Sequence, residues 1–158
     1  MSVCHNDFNP HNVIISEKTR NNVMEGSDFH RLIFSDEHCS TNGIYIHFGL
    51  KNITVEKYFN KIKCCFDNNS TNNQTISSIK SIEKMILNKF KNIQNRTLSC
   101  RIQEQLQNGF IKLYGDDNVR YGKQNEIHFL LKISGIWASN QANDFGLTFR
   151  FFIFNNQF

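Results

Sequence analysis

The strongest constraint in this sequence is a pair of long alternating segments, Glu126 to Trp137 and Phe145 to Phe154, joined by only seven residues, Ala138 to Asp144. A connection this short makes two strands antiparallel neighbours, because a parallel pair needs a crossover of about a dozen residues or more. In the first segment Ile127, Phe129, Leu131, Ile133 and Trp137 share one parity, while His128, Leu130, Lys132, Ser134 and Ile136 share the other. In the second, Phe145, Leu147, Phe149, Phe151 and Ile153 alternate with Gly146, Thr148, Arg150, Phe152 and Phe154. One face of the hairpin is continuously apolar and is assigned to the core. The other sets Lys132 and Arg150 among His128, Phe152 and Phe154. Two readings fit that face: cations for phosphates with rings for unpaired bases, or a doubly covered hairpin whose charges reach out to the edge.

Earlier segments repeat the strand pattern and then leave it. Val13-Ile14-Ile15 is a short strand candidate, and Phe29 to Phe34 and Ile44 to Phe48 are stronger ones. Ile44, Ile46 and Phe48 form a core face, with Tyr45 and His47 on its reverse. A polar loop from Asp36 ends in the turn-forming dipeptide Asn42-Gly43. Beyond it, Thr54 reads as a helix N-cap, and Val55, Phe59, Ile62 and Phe66 recur at helical spacing. Asp67 to Asn73 reads as a loop, followed by a second helix carrying Ile79, Ile82, Ile86 and Phe90 on one face. Alternation returns at Leu98, Cys100 and Ile102 and again at Phe110 to Tyr114, with Asn108-Gly109 as a turn or bulge between them. Asp116 to Gln124 reads as a polar loop. Strands, then helices, then strands indicate an α+β fold. The expectation is an antiparallel OB-like sheet or partly open barrel with a two-helix insertion.

Composition narrows the function classes. At 158 residues the chain suits a single domain spanning 1–158, with the polar residues 1–11 expected to be flexible. Hydrophobic residues make up 39%, enough for a core, yet no run approaches the roughly eighteen apolar residues of a membrane span. The first residues lack the basic and apolar regions of a secretion signal. Five cysteines, none in C-x-x-C spacing, point to free thiols in an intracellular, reducing compartment: cytoplasm, nucleus or virion. The net charge of +4 is uneven. Residues 54–96 carry eight Lys/Arg against three Asp/Glu, whereas residues 1–53 carry four against six. A lysine-rich middle attracts phosphates or forms a solvated helix face.

Catalytic chemistry finds little support. There is no G-x-S-x-G, and Ser134-Gly135 lies inside an apolar strand. No glycine-rich phosphate loop precedes a G-K-S/T. Cys4-His5 and His38-Cys39 offer four metal ligands, but adjacent residues rarely bind one tetrahedral ion. His5, Asp7 and His11 lie in the terminal segment, and Asp116-Asp117 is a loop pair. The expectation is no catalytic residue, no metal and no cofactor.

The run His128-Phe129-Leu130-Leu131-Lys132-Ile133-Ser134-Gly135-Ile136-Trp137, followed by Phe145-Gly146-Leu147-Thr148-Phe149-Arg150-Phe151, resembles the C-terminal hairpin of small single-stranded-DNA-binding proteins. Those proteins belong to Polinton-like elements, large DNA viruses and cytoplasmic linear plasmids. The resemblance covers about thirty of 158 residues. It implies an OB-like antiparallel fold that coats single strands during replication of a viral or mobile DNA element, with Lys132, Trp137, Phe149 and Arg150 at the family's hairpin positions.

The residues and the resemblance together predict a non-enzymatic, non-sequence-specific single-stranded-DNA-binding protein, with RNA as the other candidate strand. Lys112, Lys132 and Arg150 are expected to neutralise phosphates, and Tyr45, Phe110, Tyr114 and Phe152 to stack on bases. Trp137 is a platform or a core residue. The competing reading is a structural virion component or protein-interaction module that forms homo-oligomers through its strands. A small nuclease is a third class. None of these involves a membrane.

Overall fold

The structure is a computed structural model that describes residues 2–20, 25–91, 95–114 and 119–154. It is an α+β fold in which a largely antiparallel sheet of ten strands is covered on its inner face by helices. The strands are β1 (Val3–Cys4), β2 (Val13–Arg20), β3 (Ser27–Ser35), β4 (Ser40–Asn42), β5 (Ile44–Tyr58), β6 (Lys61–Phe66), β7 (Thr97–Ser99), β8 (Phe110–Tyr114), β9 (Gly122–Ser139) and β10 (Asp144–Ile153). Two α-helices, α1 (Ser70–Lys91) and α2 (Arg101–Gln107), lie between β6 and β8 in sequence. Among the described residues no helix is long and apolar enough to cross a membrane.

The central strand is β9. On one edge it pairs with β10, from Phe145 opposite Ala138 to Ile153 opposite Phe129. Along its other edge β5 and β3 lie end to end, β5 from Ile44 opposite Ile133 onward and β3 from Arg31 opposite Gly135 onward. The strand path β2-β3-β9-β5-β6-β8 extends from there. Alternation does what the sequence predicts: Ile127, Phe129, Leu131 and Ile133 are buried together with Ile44, Ile46, Phe48 and Leu50 of β5. The buried stripe of α1 (Ile79, Ile82, Ile86 and Phe90) closes over this face. Phe90 meets His30 of β3 at 4.8 Å and Phe145 of β10 at 5.0 Å between ring centroids. Removing a ring as deeply packed as Phe129 costs about 3–5 kcal/mol.

One irregularity redirects the central strand. Between Ile133 and Gly135 the β9/β10 register shifts, and Ser134 has no partner on β10. An extra residue in one strand reverses the parity of everything beyond it. Ile136 and Ala138 therefore point inward, while Trp137 leaves the parity of Ile133 and joins the face of its partners Phe29 and Gly146.

Three local expectations are overturned. The segment Thr54 to Phe66 is not a helix but the end of β5, a turn at Phe59-Asn60, and β6, paired from Ile53 opposite Phe66 to Tyr58 opposite Lys61. Ile53, Val55, Ile62 and Cys64 also alternate at period two, and β5 is already extended and hydrogen-bonded to β9 through Val55 opposite Gly122. Pairing on both edges outweighs a helical spacing that no tertiary partner supports. The inserted helices are thus α1 and the short α2.

The loop expected over Asp67 to Asn73 instead starts α1 at Ser70. Asn69 Oδ1 accepts the Asn72 N–H at 2.8 Å, the hydrogen bond of a helix N-cap. The wholly buried Asn72 side chain accepts from the Lys51 N–H and donates to the carbonyls of Lys51 and Asp67, each at 2.8 Å. The strand expected through Cys100 and Ile102 stops at Ser99, and α2 follows. Buried Glu83 of α1 accepts the N–H groups of Ile102 and Gln103, both at 2.9 Å, which satisfies two of the donors a helix start leaves open.

The polar start of the chain is fastened at several points. Val3 and Cys4 pair with Ile46 and His47, Ser78 Oγ donates to the His5 carbonyl, and Lys89 Nζ donates to the carbonyls of Pro10 and Val13. Of the loop expected over Asp116 to Gln124, Asp116, Asp117 and Asn118 lie outside the described residues, and β9 already begins at Gly122.

Candidate nucleic-acid interface

Opposite the helix-covered side, the strands present a second face whose side chains alternate with the core. Tyr45 of β5, Lys132 of β9 and Arg150 of β10 stand in one row across three neighbouring strands, Tyr45 and Arg150 each being a direct partner of Lys132. Lys132 Nζ lies 5.7 Å from the centre of the Tyr45 ring. The Arg150 guanidinium carbon lies 4.9 Å from the centre of the Phe152 ring and 6.0 Å from that of Tyr114. Arg150 also donates to the Tyr114 carbonyl at 2.8 Å, a bridge from β10 to β8.

On β8 and β6 the same chemistry continues. Lys61, the partner of Tyr114, has its ammonium 4.8 Å from that ring's centre. Lys63, the partner of Lys112, lies 4.5 Å from the centre of Phe110 and 5.7 Å from that of Tyr58. Lys112 is 5.4 Å from Phe110. Each contact sets a cation against the negative face of a ring. The geometry orders the side chains without neutralising them. Glu56 shares this face as the partner of Lys63, yet among the described residues the basic-to-carboxylate approach within 4 Å is that of His128 Nε2 to Glu126 Oε1, at 3.6 Å.

The structure brings all seven sequence-predicted residues, Tyr45, Phe110, Lys112, Tyr114, Lys132, Arg150 and Phe152, onto this face. Tyr114 and Arg150 are exposed; the other five are half-buried. It adds Lys61, Lys63 and Tyr58, which the helical reading of Thr54 to Phe66 had put on a separate element. The missed signal is the period-two alternation of Lys61, Lys63 and Cys65 against Ile62 and Cys64. Towards β3 the face continues into a hollow of about 220 Å³ lined by Phe29, Arg31, Asn42, Gly43, Lys132 and Ser134. Phe29, one wall of that hollow, packs over Gly135, where a side chain would collide with its ring and with the His30 carbonyl.

Trp137 lies beyond that hollow, only 2% exposed. Gly146 lies against one side of the indole, where a Cβ would come within 2.7 Å of Trp137 Cζ2, and the Arg101 guanidinium carbon lies 4.4 Å from the ring system. Phe149, assigned to the core, is half-buried and meets Phe151 edge-on at 5.7 Å.

Burial pushes the Cys64 thiol up to about 12, and raises Cys65 and Cys100 as well, the opposite of what activates a nucleophilic sulfur. Among the described residues no three His, Cys, Asp or Glu side chains converge as a metal site would require. His47 lies beside Phe154, their rings stacked at 5.8 Å, and is hydrogen-bonded to Ser2 Oγ at 3.0 Å. No protein-family model, curated protein or solved structure matches this chain.

Proposed function

We propose that this protein binds single-stranded nucleic acid, DNA in the first instance, through the cation-and-ring face of β5, β6, β8, β9 and β10, with little sequence preference. The observation that carries the reading is the Tyr45–Lys132–Arg150–Tyr114–Lys61 succession, in which basic and aromatic side chains stand side by side across five strands. Cations of this kind neutralise phosphates, and rings of this kind accept bases whose faces are free. A duplex hides those base faces, and among the described residues no helix projects from this strand face to serve as the usual major-groove reader. The Arg150 bridge between β10 and β8 supports reading the five strands as a partly closed, OB-like barrel. The hairpin resemblance adds the setting: coating of single strands during replication of a viral or mobile DNA element.

An electrophoretic shift with a labelled oligonucleotide, single-stranded and annealed to its complement, tests the proposal. The single strand binds more tightly, and Tyr45→Ala and Tyr114→Ala each weaken it while leaving the circular-dichroism spectrum unchanged. Equal affinity for the two forms, or indifference to both substitutions, overturns it.

A further inference from the structure

The β5/β6 hairpin ends in a two-residue turn, Phe59-Asn60, closed by the Tyr58–Lys61 pair. Phe59 is 81% exposed and adopts φ +52°, in the left-handed region. The other two non-glycine residues with positive φ among those described are Asn52 and Asn143. Asparagine tolerates this region and a bulky aromatic residue does not. Phe59 therefore carries two costs at once, a strained backbone and a phenyl ring in water. Neither contributes to the core. The ring is not isolated: Tyr58, itself 48% exposed, meets it edge-on at 4.8 Å, and Lys63 lies 5.7 Å from the Tyr58 ring. Lys57 and Lys61 flank the tip in sequence, and Lys61 leads directly to Tyr114 and the face described above.

We infer that the Tyr58–Phe59 tip is a base-stacking site that engages one unpaired nucleobase of a bound single strand, extending the contact beyond the barrel wall. The inference rests on the proposed single-strand binding and adds to it a specific ligand group, a nucleobase face, and a specific place. Two exposed rings in contact, one of them 5.7 Å from the Lys63 ammonium, suit a ligand that is apolar on its face and anionic along its backbone.

The test replaces Phe59 by glycine, the residue best suited to φ +52°, and measures stability and binding in the same full-length chain. Phe59→Gly raises the melting temperature by about 2–4 °C as the strain is relieved. It lowers affinity for a labelled oligothymidylate about tenfold, the scale of one lost stack, with no change in salt dependence because no charge is removed. Phe59→Tyr keeps wild-type affinity. If Phe59→Gly stabilises the protein and binds as wild type does, the tip is a strained turn only and the inference falls. A parallel loss of stability and affinity also overturns it, since the ring would then support the fold. If the wild-type chain binds no oligonucleotide, single-strand binding itself fails, an outcome that the wild-type titration separates from the other two.

Discussion

Lys132 and Arg150 are direct cross-strand partners on β9 and β10, two cations side by side with no carboxylate paired to either among the described residues. Like charges in this position destabilise a sheet by about 0.2–1 kcal/mol. Opposed cations on a half-exposed face fit a surface shaped for anions. Lys132→Thr keeps strand propensity and removes the repulsion. It should raise the unfolding free energy by a few tenths of a kcal/mol in urea and lower affinity for single-stranded DNA. A substitution that weakens both, or strengthens both, contradicts this account of the pair.

Glu83 fixes the packing of α2 against α1 from a position that is 1% exposed. Glu83→Ala leaves the N–H groups of Ile102 and Gln103 without their acceptor, at about 1–3 kcal/mol for each donor left bare. Burial raises the Glu83 pKa above its ordinary value, with the two backbone hydrogen bonds pulling the other way. A carboxyl with a raised folded pKa contributes most stability below its unfolded value, and that contribution is lost as pH rises through the folded one. Urea titrations across this range should show wild type losing stability relative to Glu83→Gln as pH increases. A constant difference between the two proteins would show that Glu83 does not titrate differently on folding.

Trp137 is the chain's one tryptophan, and Arg101 is stacked on its ring. Arg101→Ala should increase acrylamide quenching of its fluorescence and cost about 0.5–2 kcal/mol, the range of a guanidinium–indole contact. Unchanged quenching would mean that other side chains shield the indole.

Legibility of the fold follows where the deciding contacts lie. The β9/β10 hairpin is readable because alternation and a short turn act within thirty residues, and Lys132 and Arg150 meet as their parity predicts. Trp137 is misassigned in parity because the irregularity at Ser134 leaves no mark in hydrophobicity. Val55 to Phe66 satisfies two periods at once, and the choice belongs to β9, whose Gly122 partners Val55 from 67 residues away. Asn72 and Glu83 look like solvent-facing residues until Lys51 and Ile102 are brought beside them. The candidate face was legible residue by residue. Its continuity was not, because Lys61 and Lys63 join it only once β6 is a strand.

The most direct test of single-strand binding is fluorescence anisotropy of a labelled oligothymidylate across a series of salt concentrations, with its duplex as comparator. Five cations, Lys61, Lys63, Lys112, Lys132 and Arg150, line the face. If all five contact phosphates, log affinity should fall against log salt with a slope of about −3.5 for single strands, and Arg150→Ala should flatten it by about 0.7. Duplex should bind more weakly throughout. Salt-independent binding, equal affinity for duplex, or an Arg150→Ala slope identical to wild type would contradict the assignment of this face to nucleic acid.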